Sequence, residues 1–139
     1  MTAITKESYS RQVVEHSKHP RNRGIMQNPD AVGIGGSPCG DETEFYLKID
    51  TKKVNGKNVD YIKDIKFETM GCAAAVATAS LVTEMIKGKT LKEALKLTRD
   101  EVVKKIGGLP LVKLHCCDLT INALRKTIQD WEDKNKTSS

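Results

Sequence analysis

Phe45, Leu47 and Ile49 alternate with Tyr46, Lys48 and Asp50, the two-residue period of a strand with one buried face. Asn55-Gly56 carries a hairpin-turn signal. Ile65, Phe67 and Thr69 then alternate with Lys66 and Glu68, which predicts the returning antiparallel strand. After Gly71 the period lengthens: Val76, Ala79, Val82 and Ile86 form one apolar helical stripe ending at Gly88. Thr90 with Glu93, and Thr98 with Glu101, are capping boxes that open short helices closing near Gly107-Gly108. Ile121, Leu124, Ile128 and Trp131 share one face of a last helix, and the polar tail Lys134–Ser139 is expected to fray. Upstream, Tyr9, Val13 and His16 predict a short amphipathic helix over Thr5–Ser17, broken at His19-Pro20 and Gly24. The stretch Asn28–Gly40, with Gly33, Gly35, Gly36 and Pro38, reads as a loop. Strands first and helices afterwards predict an α+β fold: a small antiparallel sheet of about three strands with helices packed on one face. Residues 1–139 are expected to form one domain, with flexible ends near 1–4 and 134–139.

A chain of 139 residues can bury about two-thirds of its unfolded surface and needs no disulfides to fold. Its 38% hydrophobic and 29% charged residues fit a soluble globular class, and no apolar run approaches the roughly 20 residues of a membrane span. The start, Met1-Thr2-Ala3-Ile4-Thr5-Lys6-Glu7, has no apolar core, so no secretory signal and a reducing, cytoplasmic location are expected. The net charge of +5 is spread over basic stretches interleaved with Asp and Glu. With three Tyr, two Phe and one Trp there is no stacking platform for nucleic acid, and a protein partner with an acidic face suits the charge better.

Four cysteines in such a chain point to metal binding or thiol chemistry. Cys39-Gly40-Asp41 precedes the first clear strand, Cys72 follows Gly71 at a strand-to-helix junction, and His115-Cys116-Cys117 lies between the Leu109-Pro110-Leu111 break and the final helix. Each group sits where an element starts or ends, so three remote segments can converge on one site. Thiolates and imidazole favour zinc and iron–sulfur clusters over magnesium or calcium. A cysteine at a helix N-terminus has its thiolate favoured by the free amides there. Cys116 and Cys117 are adjacent, so their side chains diverge and one of them is expected to face the site. Adjacency also makes side-chain hydrogen bonding between His115 and Cys116 awkward. His16 and His19 read as packing or surface residues, and the Lys87–Lys105 stretch as a solvated helical face. There is no C-x-x-C pair, Ser–His–Asp signature, phosphate-cradling loop or Rossmann fingerprint.

The residues Cys39-Gly40-Asp41, the run Phe67 to Ala77 around Gly71-Cys72, and Leu109-Pro110-Leu111-Val112-Lys113-Leu114-His115-Cys116 resemble, in this order, the motifs of the IscU/NifU-type iron–sulfur cluster scaffolds. The likeness extends from about Tyr9 to Trp131. It implies an α+β fold and a non-enzymatic role: assembly of a [2Fe–2S] cluster from iron and desulfurase-derived sulfur, and its transfer to apoproteins. It implies Cys39, Cys72 and Cys116 as sulfur ligands, Asp41 and His115 as further ligands, Cys116 as persulfide acceptor, and Lys113 as a residue tuning the site's charge. Zinc is the implied occupant of isolated protein. The implied partners are a cysteine desulfurase and apo iron–sulfur proteins, with a ferredoxin, a frataxin-like protein and an Hsp70-type chaperone beside them, and neither nucleic acid nor membrane.

The chain departs from the family pattern at named points. Pro38 abuts Cys39, Leu111 stands where many members have a second proline in the chaperone-recognised segment, and Cys117 replaces a common serine. The Lys52–Asp60 hairpin is longer than in many relatives. Two competing readings are a structural zinc domain held by Cys39, Asp41, Cys72 and His115 or Cys116, and a sulfurtransferase with Cys116 as nucleophile. Asp41 favours the scaffold over structural zinc, whose sites prefer closed Cys/His sets.

Overall fold

A computed structural model describes residues 9–36 and 41–137. The chain runs through α1 (Arg11–Lys18), β1 (Ala31–Gly36), β2 (Glu42–Val54), β3 (Lys57–Met70), α2 (Ala73–Ile86), α3 (Leu91–Leu95), α4 (Arg99–Lys105), a 3₁₀ turn (Leu111–Lys113) and α5 (Leu114–Thr137). The strands form one antiparallel sheet in the order β1-β2-β3, with α5 lying on β1 and β2 and α2 on β3. This is the α+β architecture that the alternating and helical periods predict.

The β2–β3 hairpin turns at Asn55 and Gly56, whose φ angles of 53° and 80° are those the Asn-Gly signal anticipates. Phe45 and Leu47 of β2 and Ile65 and Phe67 of β3 are fully buried beneath the helices. Lys48 pairs with Asp64 and Ile49 with Ile62, so a bulge leaves Lys63 unpaired and lets Ile62 join Ile65 in the core three residues later.

Residues 31–36 are a strand and not part of a loop; glycines at its inward positions carry no side chain to show the two-residue period. The inward positions of β1 include Gly33 and Gly35, while Val32 and Ile34 point outward and are each 45% exposed. A Cβ on Gly33 would stand 2.2 Å from Thr127 Oγ1 and 2.9 Å from Thr127 Cα, and one on Gly35 would stand 2.9 Å from Ala123 Cβ. The bare glycine backbone lets α5 lie directly on the strand.

Helix α2 is buried on nearly every side, rather than along the single stripe expected. Its buried hydroxyls are satisfied locally: Thr78 donates to the Ala74 carbonyl at 2.6 Å and Thr83 to that of Ser80 at 2.6 Å. Helix α1 begins at Arg11 because Ser10 caps it, accepting from the Val13 amide at 3.0 Å. Tyr9 therefore precedes the helix, and the expected start at Thr5 lies outside the described residues. His16 fastens α1 to α2: Nδ1 is 2.7 Å from Ser80 Oγ and Nε2 is 3.5 Å from Glu84 Oε1. Ser80, His16 and Glu84 are the residue types of a hydrolytic triad, but Ser80 is fully buried and also accepts from the Arg21 amide at 2.8 Å. That array is a structural lock.

Both capping boxes form, at Thr90 with Glu93 and at Thr98 with Glu101. Helix α5 continues to Thr137, further than the frayed tail from Lys134 suggested, and Asn135 Nδ2 donates to the Trp131 carbonyl at 2.8 Å.

Candidate metal and sulfur centre

The start of β2, the junction between β3 and α2, and the first turn of α5 meet at one end of the sheet. Glu42 pairs with Met70, so Asp41 and Gly71 leave that register side by side. Thr43 and Thr69 share a buried hydrogen bond of 2.9 Å there, and Thr69 also donates to the Glu42 carbonyl at 2.6 Å. These bonds fix the strand ends beneath the site. Gly71 permits the close approach: a Cβ on it would stand 3.1 Å from Asp41 Cγ and 3.0 Å from Ala75 Cβ.

Cys72 is the N-cap of α2, with extended backbone angles of −74° and 175°. His115 and Cys116 lie inside the first turn of α5, rather than ahead of the final helix as the sequence suggested. Helix periodicity separates Cys116 from Cys117 by about 100°. Cys116 is buried against Ala74 and Ala75 with Cys72, Tyr9 and Leu109 around it, whereas Cys117 belongs to the main core and lies 4.0 Å from the Arg99 carbonyl. Burial pushes the Cys117 thiol up to about 12. It is a packing residue, and the divergence of the two cysteines is as expected.

One ligand atom each from Asp41, His115 and Cys116 falls within 4.8 Å of the others. Cys116 Sγ is 3.6 Å from Cys72 Sγ and 3.6 Å from His115 Nε2, so the adjacency thought awkward for a His–Cys contact is accommodated. His115 is exposed, Asp41 is intermediate and Cys116 is fully buried, so the described part of the site runs from solvent at the imidazole to the core at the thiol. Cys39 falls in the 37–40 segment, outside the described residues.

The two thiols are electrostatically unequal. A hydrogen bond from the Cys116 thiol favours the Cys72 thiolate; burial opposes it, and the Ala75 amide, the Lys113 ammonium and the Ala74 amide reinforce it. Cys116 holds its proton because it donates to Cys72, because it is buried, and because Cys72 is the negative partner. Lys113 is in turn kept protonated by the Cys72 charge. Tyr9, read from the sequence as a helix-face residue, is a neighbour of this site: burial raises its phenol while Lys113 opposes the shift. Only contact across 60-odd positions reveals that role, since no spacing rule links Tyr9 to Cys72. Beside the site, Leu111 and Val112 are 84% and 61% exposed.

The sequence matches the family model described as NifU-like N terminal domain over residues 8–138. The chain belongs to the NifU-like N-terminal domain family. Among curated members similar to this NifU-like chain, the iron–sulfur cluster assembly scaffold protein IscU 1 of Archaeoglobus fulgidus is 48% identical, covering 91% of this chain and 78% of its own. The scaffold protein IscU of Aquifex aeolicus is 41% identical, covering 88% and 75%. The NifU-like fold also superposes on a crystal structure of a SUF-system scaffold candidate from Fervidobacterium islandicum, with a TM-score of 0.70 at 24% identity, covering 90% of this chain and 99% of that one. Among the described residues no helix is long and apolar enough to cross a membrane.

Proposed function

We propose that this protein is a scaffold on which an iron–sulfur cluster is built and from which it is passed on. The observation that carries the reading is the convergence of Asp41, Cys72, His115 and Cys116 from three remote segments at one half-open end of the sheet. Membership of a family whose similar members are named scaffold proteins supports it. In this reading Cys39, Cys72 and Cys116 supply thiolates to a [2Fe–2S] cluster, Asp41 and His115 complete the ligand sets, and Lys113 offsets their negative charge. Cys116 accepts persulfide sulfur, and zinc occupies the centre when iron and sulfide are absent. The chain acts as one domain and without turnover of its own.

The physical logic is lability. A resident cluster is usually held by four thiolates in a closed site. Here a carboxylate and an exposed imidazole stand among the thiolates, which weakens retention and leaves a side open for exchange. A cysteine desulfurase donates the sulfur and apo iron–sulfur proteins receive the cluster. A ferredoxin, a frataxin-like protein and an Hsp70-type chaperone complete the set of partners, and the exposed Leu111-Val112 segment is accessible for the last despite lacking the second proline. Free thiols at 72 and 116 suit a reducing compartment, the cytoplasm.

Anaerobic incubation of the metal-free protein with ferrous iron, cysteine and a cysteine desulfurase tests the reading. Visible cluster absorption with equal iron and acid-labile sulfide is expected. Stoichiometric zinc that cannot be displaced, whose chelation unfolds the chain, would instead establish a structural zinc domain.

A further inference from the structure

Cys72 and Cys116 are 44 positions apart in the chain, and their sulfur atoms are 3.6 Å apart. Cys116 is fully buried, whereas Cys72 is partly exposed at the end of α2. Cys117 is turned away into the core, so among the described cysteines Cys72 is the one whose sulfur lies beside that of Cys116. Cargo on Cys116 is therefore held against a second thiol. Closing the gap to a disulfide's length of about 2.05 Å takes a shift of only about 1.5 Å, within reach of side-chain rotation.

We propose that Cys72 is the resolving thiol for a persulfide on Cys116: it attacks Cys116 Sγ, forms a Cys72–Cys116 disulfide and expels sulfide beside the iron ligands. This rests on the reading of Cys116 as sulfur acceptor. The Cys72 Sγ–Cys116 Sγ bond forms as the bond between Cys116 Sγ and the outer sulfur breaks. The outer sulfur leaves as hydrosulfide with the persulfide's own proton or one from water. The outer sulfur takes the bonding pair and is reduced by one electron to the sulfide level, the Cys72 sulfur is oxidised by one, and the Cys116 sulfur keeps the level it had in the persulfide, so sulfide release needs no external reductant. Restoring two thiolates for iron binding then takes two electrons from a dithiol reductant, in a separate step.

The same 3.6 Å separation suits two thiolates on a single metal ion, so the step belongs to the metal-free chain, before iron binds. It also makes a positional claim. Attack at the inner sulfur gives a disulfide and free sulfide, whereas attack at the outer sulfur would only move the persulfide onto Cys72.

The test uses full-length, metal-free protein charged by a cysteine desulfurase with isotopically labelled cysteine, then freed of enzyme and substrate under anaerobic conditions. Peptide mass spectrometry after alkylation is followed in time alongside free sulfide. For the wild type, the Cys116 peptide bearing one extra sulfur should decay as labelled sulfide and a Cys72–Cys116 linked peptide appear in equal amounts. In Cys72→Ser, the persulfide that forms on Cys116 should persist at least about tenfold longer than in the wild type until a dithiol is added, whatever fraction of the protein is loaded. Cys117→Ala should behave as wild type. Unchanged sulfide release in Cys72→Ser, persulfide transferred to Cys72, or a Cys39–Cys116 linkage in place of the expected one would each overturn the proposal while leaving Cys116 as acceptor. Failure to load Cys116 in both the wild type and Cys117→Ala would overturn the acceptor assignment and this proposal together.

Discussion

The carboxylate of Asp41 lies against the bare α-carbon of Gly71: a methyl group there would stand 3.1 Å from Asp41 Cγ and 3.3 Å from Oδ2. The backbone of Gly71 is not left-handed, so alanine is conformationally acceptable and its methyl acts mainly by displacing neighbours. Gly71→Ala should keep the fold and weaken metal binding by about tenfold, the usual scale for disturbing a ligand's support. Cobalt titration with circular dichroism as the folding control checks this; unchanged affinity would show that the Asp41 carboxylate does not take part.

Gly33 poses the opposite case. Its Cβ would fall 2.2 Å from Thr127 Oγ1 and 2.9 Å from backbone, which only a shift of α5 can relieve. Gly33→Ala should destabilise the protein by about 3 kcal/mol in denaturant unfolding, the upper end of overpacking costs. Because α5 also carries His115 and Cys116, metal affinity should fall with it.

These two glycines mark what the chain made legible and what it hid. The β2–β3 hairpin and both capping boxes are written in side chains, by alternation and by Thr–Glu spacing, and they form as read. Strand β1 was hidden because its inward positions at 33 and 35 have no side chain to show the period. Cys72 was legible as a helix-terminal thiol because Gly71 marks the junction. The start of α5 was not: Pro110 suggested that structure resumed after Cys117, whereas a 3₁₀ turn restarts the helix at Leu114. Tyr9 beside Cys116 is a purely tertiary fact.

Burial pushes the His16 imidazole below its ordinary 6.5; Arg21 adds to that depression, and Glu84 opposes it. The folded chain thus binds this proton less readily than the unfolded chain. His16 contributes its full stability above pH 6.5, and that contribution is lost as pH falls below 6.5 towards the depressed folded value. Between about pH 7 and about pH 5.5 the urea midpoint of the wild type should fall more steeply than that of His16→Gln. Parallel profiles would show that folding leaves the ring's proton affinity unchanged, and a shallower fall in the wild type would show that the lock with Ser80 and Glu84 holds the ring protonated.

The two adjacent cysteines should separate cleanly. Cys117→Ala should retain the metal stoichiometry of the wild type and lose about 1 kcal/mol of stability from a small core cavity. Cys116→Ala should lose stoichiometric metal with the fold intact. Metal analysis after gel filtration and thermal melts distinguishes them, and metal loss in Cys117→Ala alone would reverse the assignment.

In the proposed scaffold role, Asp41 is the group that bears on lability. A carboxylate holds iron less firmly than a thiolate and draws water to the open side. Asp41→Ala should therefore keep a reconstituted cluster longer and deliver it more slowly. Faster decay of cluster absorption than in wild type would show that Asp41 anchors the cluster.

The central claim is that the site assembles a cluster in order to release it, and transfer measures this most directly. Reconstituted protein mixed anaerobically with apo-ferredoxin, with free iron and sulfide chelated, should lose its own cluster signal as the visible circular dichroism of holo-ferredoxin grows in at matching stoichiometry. A cluster that stays on this chain, or reaches ferredoxin only when free iron and sulfide are left in solution, would contradict the account.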